Sequence, residues 1–442
     1  MDNILADIVF FILEVVIKAR RQAVYALDKI LNQDQYSTEI INDLVDKVVE
    51  VDRALFRKLV YGVVENLYYI DYMIGKLSKI KLNKLDKNVL NILRIAVYEL
   101  AFLESKPYAV INEAVNLCKK FSFKSKGFVN GVLRNLDRNK EKIMEIEEKG
   151  DKYLSIKYST NMDIIKYLKD NYSNYEKIVE SFSDQADFTI RVNTYLISKE
   201  DLKTRLENLE FKIDESSLSP DALLIENPNG IVDTEEFNKG YFTIQDQASI
   251  LVGNVVNPKE NSKVLDLCAA PGSKSTHMAQ IMKNTGEVLA NDISTSKNDK
   301  IIENFQRLKL TNYNLKNYDA SKNVEEFKNK FDYVLVDAPC SGLGVIKRKP
   351  EIKLYRTYED IKSIASIQKE ILDRAYSYVK KDGDIIYSTC TIGRLENQDI
   401  IGDFINRYSD IKIVPIDGND YKEILPNKSS DGFYMCKMTK KL

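Results

Sequence analysis

The sequence predicts a multidomain protein: an all-α helical bundle, then a small α+β module, then an α/β domain with a mostly parallel sheet. Three observations predict it. At 442 residues the chain is too long for a single hydrophobic core. Residues 19 to about 138 carry apolar side chains at three- and four-residue intervals, the period of helices packed on one face. From Tyr241 onward short apolar runs alternate with helical stretches, the rhythm of parallel strands covered on both sides.

The elements follow in order. The N-terminal stretch MDNILADIVFFILEVV is apolar but interrupted by Asp2, Asp7 and Glu14. It lacks the basic flank of a signal peptide and the unbroken run of about 20 residues that a membrane span requires, so a packed or amphipathic first helix is expected. ARRQAVYALDKIL, DRALFRKLVYGVVENLYYIDYMI and NVLNILRIAVYELAFL then read as helices, and VINEAVNLCKKF restarts the pattern after Lys106-Pro107. The charged stretch from Arg138 to Asp151 reads as an exposed helix leading into a linker. Between 152 and 240, DFTIRVNTYLI alternates like a strand and DLKTRLENLE looks helical. The last third offers KVLDLCA, EVLANDI, NLKNYDA, FDYVLVDAP and DGDIIYSTC as strands. The expected segments are therefore 1–145, 146–239 and 240–442.

Hydrophobic content of 44% and charged content of 30% describe a globular chain. The net charge is −1, yet residues 76–140 hold 14 basic and 5 acidic residues, against 8 and 12 in residues 1–75. Such a shift suits a local phosphate-binding face, and equally a solvated helical surface. Five widely spaced cysteines with no C-x-x-C suggest neither a zinc site nor a disulfide framework, and suit a reducing, cytoplasmic setting. The only histidine is His277 and there is no tryptophan. Multi-histidine metal sites are thereby excluded, and a Ser-His-Asp triad would need His277 itself. The chemistry falls to carboxylates, thiols, hydroxyls and lysines.

In parallel sheets ligands bind beyond the carboxyl ends of the strands. Asp266, Cys268, Asp292, Asp319, Asp337, Cys340 and Cys390 all stand there. The loop Cys268, Ala269, Ala270, Pro271, Gly272, Ser273, Lys274 joins the first strand to a helix. Its small residues allow close approach, and the helix start offers unpaired N–H groups. It is neither a Walker A loop nor G-x-G-x-x-G. Asp292 stands 20 residues past Gly272, where a carboxylate takes ribose hydroxyls in nucleoside-binding folds; a helix-capping aspartate is the alternative. DAPCSGLG turns sharply after Asp337 and exposes Cys340. Next comes the basic loop VIKRKPEIKLYR, a natural clamp for a phosphate backbone. One strand-end cysteine is ordinarily a packed thiol, but Cys340 and Cys390 converge at one sheet edge. Spacing alone does not rank the two.

CAAPGSK, DAPCSGLG and STCT, in this order, resemble the motifs of the RsmB (Sun/Fmu) family of 16S rRNA 5-methylcytosine methyltransferases. LRIAVYELAFLESKPYAVINEAVNLCKKF and KGFVNGVLRNLDR resemble its NusB-like RNA-binding domain. KYSTNMDIIKYL, IRVNT and GYFTIQDQAS extend the likeness over roughly residues 19–440. The resemblance implies a Rossmann-like catalytic domain using S-adenosyl-L-methionine, acting on a cytosine of the C967 type in 16S rRNA. It implies that residues 268–274 wrap the cofactor's methionine and ribose, that Asp292 takes the ribose hydroxyls and that Asp319 lies near the adenine. Asp337 would lie between cofactor and base, Cys390 would form the covalent bond, and Cys340 would assist product release. Arg191, Lys347, Arg348 and Lys353 are the candidate RNA contacts. A monomer with no metal and no membrane attachment is expected.

There are departures: Ser273 replaces a second glycine, Leu354 a tryptophan, Glu351 an aspartate, and Asn161-Met162 a proline-bearing element. None touches a reacting atom. The residue types suit the reaction. Carbon 5 of cytosine is a poor nucleophile until a thiolate adds to carbon 6, and cysteine alone supplies an accessible thiolate near neutral pH. The base must be unstacked to be reached from both faces. Two alternatives remain open: the same chemistry on tRNA or large-subunit rRNA, and a non-catalytic RNA-binding assembly or antitermination factor.

Overall fold

Periodicity and capping shape the N-terminal bundle. In the computed structural model, which describes residues 19–33, 35–103 and 105–441, residues 19–32 are helical (α1). There follow α2 (Ser37–Val45), α3 (Arg53–Glu65), α4 (Leu67–Leu77), α5 (Lys87–Phe102), α6 (Pro107–Phe121) and α7 (Lys126–Arg138). Asp86 caps α5 by accepting from the Asn88 and Val89 N–H groups, and Pro107 opens α6, where a missing N–H costs nothing. The apolar faces meet in one core containing Leu27, Phe56, Val60, Leu93 and Leu133. The reading of residues 1–18 lies outside the described residues.

The single exposed helix expected over 138–151 is not formed. Instead α8 (Lys140–Met144) stops, residues 145–149 are not helical, and α9 (Gly150–Lys157) begins anew. The cause is local competition for backbone groups. Tyr69 and Lys76 donate to the Met144 and Glu145 carbonyls, and the Tyr72 hydroxyl accepts from the Glu147 N–H. Side chains of α4 thus satisfy the backbone that a helix would otherwise pair. α10 (Met162–Asn171) and α11 (Tyr175–Ser181) complete this part.

The chain divides into two compact units. The helical one runs through Lys169 and adds Asn174–Ser183 and Arg348–Tyr355. The other comprises Asp170–Ser173, Asp184–Lys347 and Arg356 onward. The small α+β module clusters with the α/β domain, and eight residues of the basic loop belong to the helical unit, where Leu354 joins the core.

In the second unit β1 (Phe188–Val192), β2 (Lys212–Glu215), β3 (Ala222–Glu226) and β4 (Phe242–Ile244) form an antiparallel sheet ordered β2-β3-β1-β4. With it go α12 (Lys199–Asn208) and α13 (Glu235–Asn238), and α14 (Gln247–Val256) leads onward. The large sheet contains all five expected strands: β5 (Lys263–Asp266), β6 (Glu287–Asn291), β7 (Tyr313–Lys316), β8 (Phe331–Asp337) and β9 (Val379–Thr389). They pair in parallel in the order β9-β8-β5-β6-β7. α15 (Ser273–Ile281), α16 (Asn298–Arg307), α18 (Tyr358–Tyr378) and α19 (Gln398–Arg407) lie between and after them in sequence, while α17 (Ile352–Tyr355) belongs to the helical unit. Unforeseen was an antiparallel edge of β10 (Ile411–Val414), β11 (Lys422–Ile424) and β12 (Phe433–Lys440), with β12 paired to β9. Strand order reverses between β5 and β8, which places a ligand crevice at their carboxyl ends. No helix among the described residues is long and apolar enough to cross a membrane.

Candidate active site

The crevice begins where β5 ends. Asp266 is buried and accepts the Ser275 hydroxyl at 2.6 Å, which pins the first turn of α15. Burial pushes its carboxyl up to about 7, against the pull of Ser275. Between them the predicted loop bends tightly: the Gly272 N–H donates to the Ala269 carbonyl at 2.6 Å. Gly272 has φ +96°, and a Cβ there would stand 3.2 Å from the Ile301 backbone, so both conformation and space favour glycine. Burial holds the Cys268 thiol well above the usual range, which suits packing and not attack.

Asp292 directly follows β6. Its two oxygens accept the Ala270 N–H at 3.2 Å and the Ser294 N–H at 3.0 Å, so it braces the loop while remaining at the crevice. Beside it Ile293 is 69% exposed, an apolar surface next to a carboxylate. Asp319 lies beyond β7, exposed, and accepts from the Ser321 N–H and hydroxyl; those bonds hold its carboxyl below its ordinary value.

At the end of β8, Asp337 takes the Lys274 ammonium at 2.7 Å on one oxygen and the Ser388 hydroxyl at 2.9 Å on the other. Burial alone would depress Lys274, but the charge and hydrogen bond of Asp337, together with the charges of Cys390 and Asp266, outweigh it and hold the ammonium above the usual lysine range. Past Asp337 and past β9, the Cys340 and Cys390 sulfur atoms stand 3.1 Å apart. The Cys340 thiol is held well above the usual range by its hydrogen bond to Cys390, by burial, and by the charges of Cys390, Glu396 and Asp337. Cys340 therefore keeps its proton, while the Lys274 ammonium feels the charge of Cys390.

Around them the backbone is close-packed. The Gly344 N–H donates to the Cys390 carbonyl at 3.1 Å and the Gly432 N–H to the Gly344 carbonyl at 2.8 Å. A Cβ on Gly344 would stand 2.0 Å from the Gly432 oxygen.

Three of the four candidate RNA contacts are buried and need correction. Arg191 is wholly buried: its guanidinium donates to Gln245 at 2.6 Å, to Thr276 at 3.0 Å and to the Ser273 carbonyl. It buttresses the end of the 268–274 loop and the start of α15, and presents nothing to a phosphate. The Lys347 ammonium donates to the Asn427 and Ser430 carbonyls and lies near Asp431. Lys353 is buried within the helical unit beside Glu65. Arg348 is exposed. Glu351 does not neutralise the loop's lysines but accepts the Ser37 N–H and hydroxyl. His277 is buried against Asp221 at 3.1 Å, and burial pulls it down to about 4; it serves packing. Sequence reasoning missed Glu396, Ser341, Thr391 and Gln368, which lie buried together beneath the thiols. The only signal was Glu396-Asn397 shortly after Cys390.

The comparisons agree with this layout. A family profile described as 16S rRNA methyltransferase RsmB/F matches residues 253–439, a NusB family profile matches 17–138, and an RsmF/B-like ferredoxin-like domain profile matches 164–232. The chain is similar to the probable ribosomal RNA small subunit methyltransferase B of Bacillus subtilis, with 34% identity over 95% of this chain and 98% of that one. It is 30% identical to the ribosomal RNA small subunit methyltransferase B of Photorhabdus laumondii, over 94% of this chain and 97% of that one. Among solved structures it resembles PH0851 with a TM-score of 0.79 and 25% identity, covering 96% of this chain and 98% of that one.

Proposed function

Because this chain belongs to the RsmB/F family of S-adenosylmethionine-dependent RNA methyltransferases, we propose that it methylates carbon 5 of a cytosine in 16S rRNA, of the C967 type, with Cys390 as nucleophile. One observation carries the proposal: two sulfurs 3.1 Å apart at adjacent strand ends, beside a carboxylate paired with a lysine.

The residues present fit S-adenosylmethionine. Backbone 268–273 and the start of α15 would hold its methionine and ribose portion, Asp292 the ribose hydroxyls, and Ile293 and Asp319 the adenine side. When bound, the cofactor supplies an electrophilic methyl group.

Cys390, as thiolate, bonds to cytosine carbon 6, and the electron pair of the C5–C6 bond becomes available at carbon 5 for transfer of the methyl group. Asp337, taking part as the protonated acid, would donate to the ring nitrogen that gains density and be left as a carboxylate whose charge Lys274 balances. The carbon 5 proton then leaves to a base, the C5–C6 bond reforms, and Cys390 departs with its electron pair. Cys340 suits the role of that base through a change of environment. While Cys390 carries charge, the hydrogen bond between the sulfurs is the largest cause holding Cys340 protonated. Once Cys390 is a neutral thioether that cause is gone, so Cys340 releases its proton to solvent more readily, and its thiolate, or a water it orients, can then take the carbon 5 proton.

The test uses tritiated S-adenosylmethionine and 16S rRNA transcribed without modification, with tRNA and large-subunit rRNA alongside. Label is expected at carbon 5 of a 16S cytosine. Cys390→Ala should lose turnover, and Cys340→Ala should accumulate a protein–RNA adduct that survives denaturing electrophoresis. Label confined to another RNA changes the substrate, no label in any RNA refutes the enzyme reading, and an adduct formed by Cys390→Ala reverses the two thiols.

A further inference from the structure

Beneath the two sulfurs lies a buried polar cluster that the reaction above does not use. Glu396 is fully buried, and its carboxylate accepts the Ser341 N–H at 2.8 Å, the Ser341 hydroxyl, and the Gln368 amide at 3.1 Å. Ser341 follows Cys340 in the chain and Thr391 follows Cys390. Their hydroxyl oxygens are 2.7 Å apart, and Thr391 Oγ1 lies 3.5 Å from the same carboxylate. The Tyr387 hydroxyl donates to the Glu396 carbonyl at 2.6 Å, and Asn397 is bonded to Thr389, Thr391 and Gly393.

Each thiol sits on a loop beyond the last ladder bond of its strand. The pairing of β8 with β9 ends at Asp337 and Ser388, so the ladder does not set the distance between residues 340 and 390. We infer that Glu396 is a positioning residue that ties the backbone after Cys340 to the backbone after Cys390 and so sets the spacing of the two sulfurs. This rests on the reading of Cys390 as nucleophile. A carboxylate suits the task because it accepts several bonds at once. A buried one is retained at a cost unless those bonds are made, and here they are made by the residues flanking both thiols.

The charge has a second effect. The groups acting on this pair are Cys390, Asp337, Tyr387 and Glu396 around Cys340, and Arg356, whose charge acts on Glu396. Glu396 is among the charges opposing a thiolate on Cys340, after the hydrogen bond to Cys390, burial and the Cys390 charge.

The experiment compares full-length Glu396→Gln and Glu396→Asp. Gln keeps the shape but loses the charge and turns an N–H₂ toward Ser341 or Gln368; Asp keeps the charge but loses reach. Both should lower kcat by roughly 100-fold, with KM for the 16S transcript and affinity for S-adenosylhomocysteine unchanged. In a Cys390→Ala background, iodoacetamide alkylation of Cys340 followed across pH should shift its midpoint down in the Gln variant and not in the Asp variant. A wild-type kcat in both folded variants, or an unmoved midpoint in Glu396→Gln, overturns the inference. If Glu396→Gln does not fold, Ser341→Ala replaces it: a fall in kcat of roughly tenfold at constant KM is expected, and full activity overturns the inference. Residual turnover in Cys390→Ala alone would instead strike the underlying assignment, which keeps the two failures distinct.

Discussion

Arg191→Met discriminates between two incompatible roles for a residue that the sequence marks as an RNA contact. In the structure its guanidinium is wholly buried and bonded to Gln245, Thr276 and the Ser273 carbonyl. Methionine fills much of the volume but leaves those acceptors facing an apolar group. Thr276 keeps a partner because its hydroxyl also donates to the Ser273 carbonyl at 3.0 Å, and the Gln245 amide still donates to Ser249. One to two acceptors are left unsatisfied, each costing about 1–3 kcal/mol, and removal of a desolvated cation offsets part of this. The expected net loss is about 2–3 kcal/mol, or roughly 5–10 °C in melting temperature for a unit of this size. Because Ser273 opens α15, affinity for S-adenosylhomocysteine should also fall, by roughly tenfold if about 1.4 kcal/mol of the loss is felt at the loop. Differential scanning calorimetry reads the first effect and titration calorimetry the second. Fluorescence anisotropy with the 16S transcript over a potassium chloride series reads the third quantity, the slope of log affinity against log salt. A phosphate contact would lower that slope by about 0.7; a buttress leaves it unchanged. An unshifted melting temperature together with a lowered slope would refute the burial argument.

Two further outcomes follow from the same geometry. Gly344→Ala places a Cβ 2.0 Å from the Gly432 oxygen and 2.8 Å from the Cys390 oxygen; it should reduce methyl transfer by roughly 100-fold, and near wild-type turnover would contradict the close packing. For Lys353, burial pulls the ammonium below its ordinary 10.5, with Glu65 pulling it back up. A lysine depressed on folding binds fewer protons folded than unfolded, so its penalty is full below the folded pKa and is relieved as pH rises toward 10.5. The stability of the wild type minus that of Lys353→Met, from urea unfolding, should therefore rise with pH through this alkaline range, and a flat difference would refute the depressed value.

Much of the fold was legible because it rests on periodicity. Helices that bury one stripe, and parallel strands that bury both faces, leave patterns in the order of residues, and all five expected strands of the large sheet were recovered. β10, β11 and β12 were not. Runs such as FYMCKMTK carry their register through pairing with β9, a partner tens of residues away, and nothing local in them marks the direction. The broken helix at 138–151 failed for a similar reason: residues 140–149 are helix-compatible, but Tyr69, Tyr72 and Lys76 compete for their backbone.

The site divides the same way. The amino-acid order by itself determined which chemistry was available: a chain with one histidine must work with thiols and carboxylates, and the strand-end positions of Asp292, Asp337, Cys340 and Cys390 follow from where apolar runs stop. Only the tertiary structure decided which cations face inward. Arg191, Lys347 and Lys353 look like phosphate ligands in one dimension because a positive charge carries no record of its burial. Their partners, Gln245 and Thr276, Asn427 and Ser430, and Glu65, lie 50 to nearly 300 positions away. The surroundings of Cys340 are likewise set in space: its thiol is held up first by its hydrogen bond to Cys390 and by burial, with the charges of Cys390, Glu396 and Asp337 adding to this, and none of these is written in the local sequence.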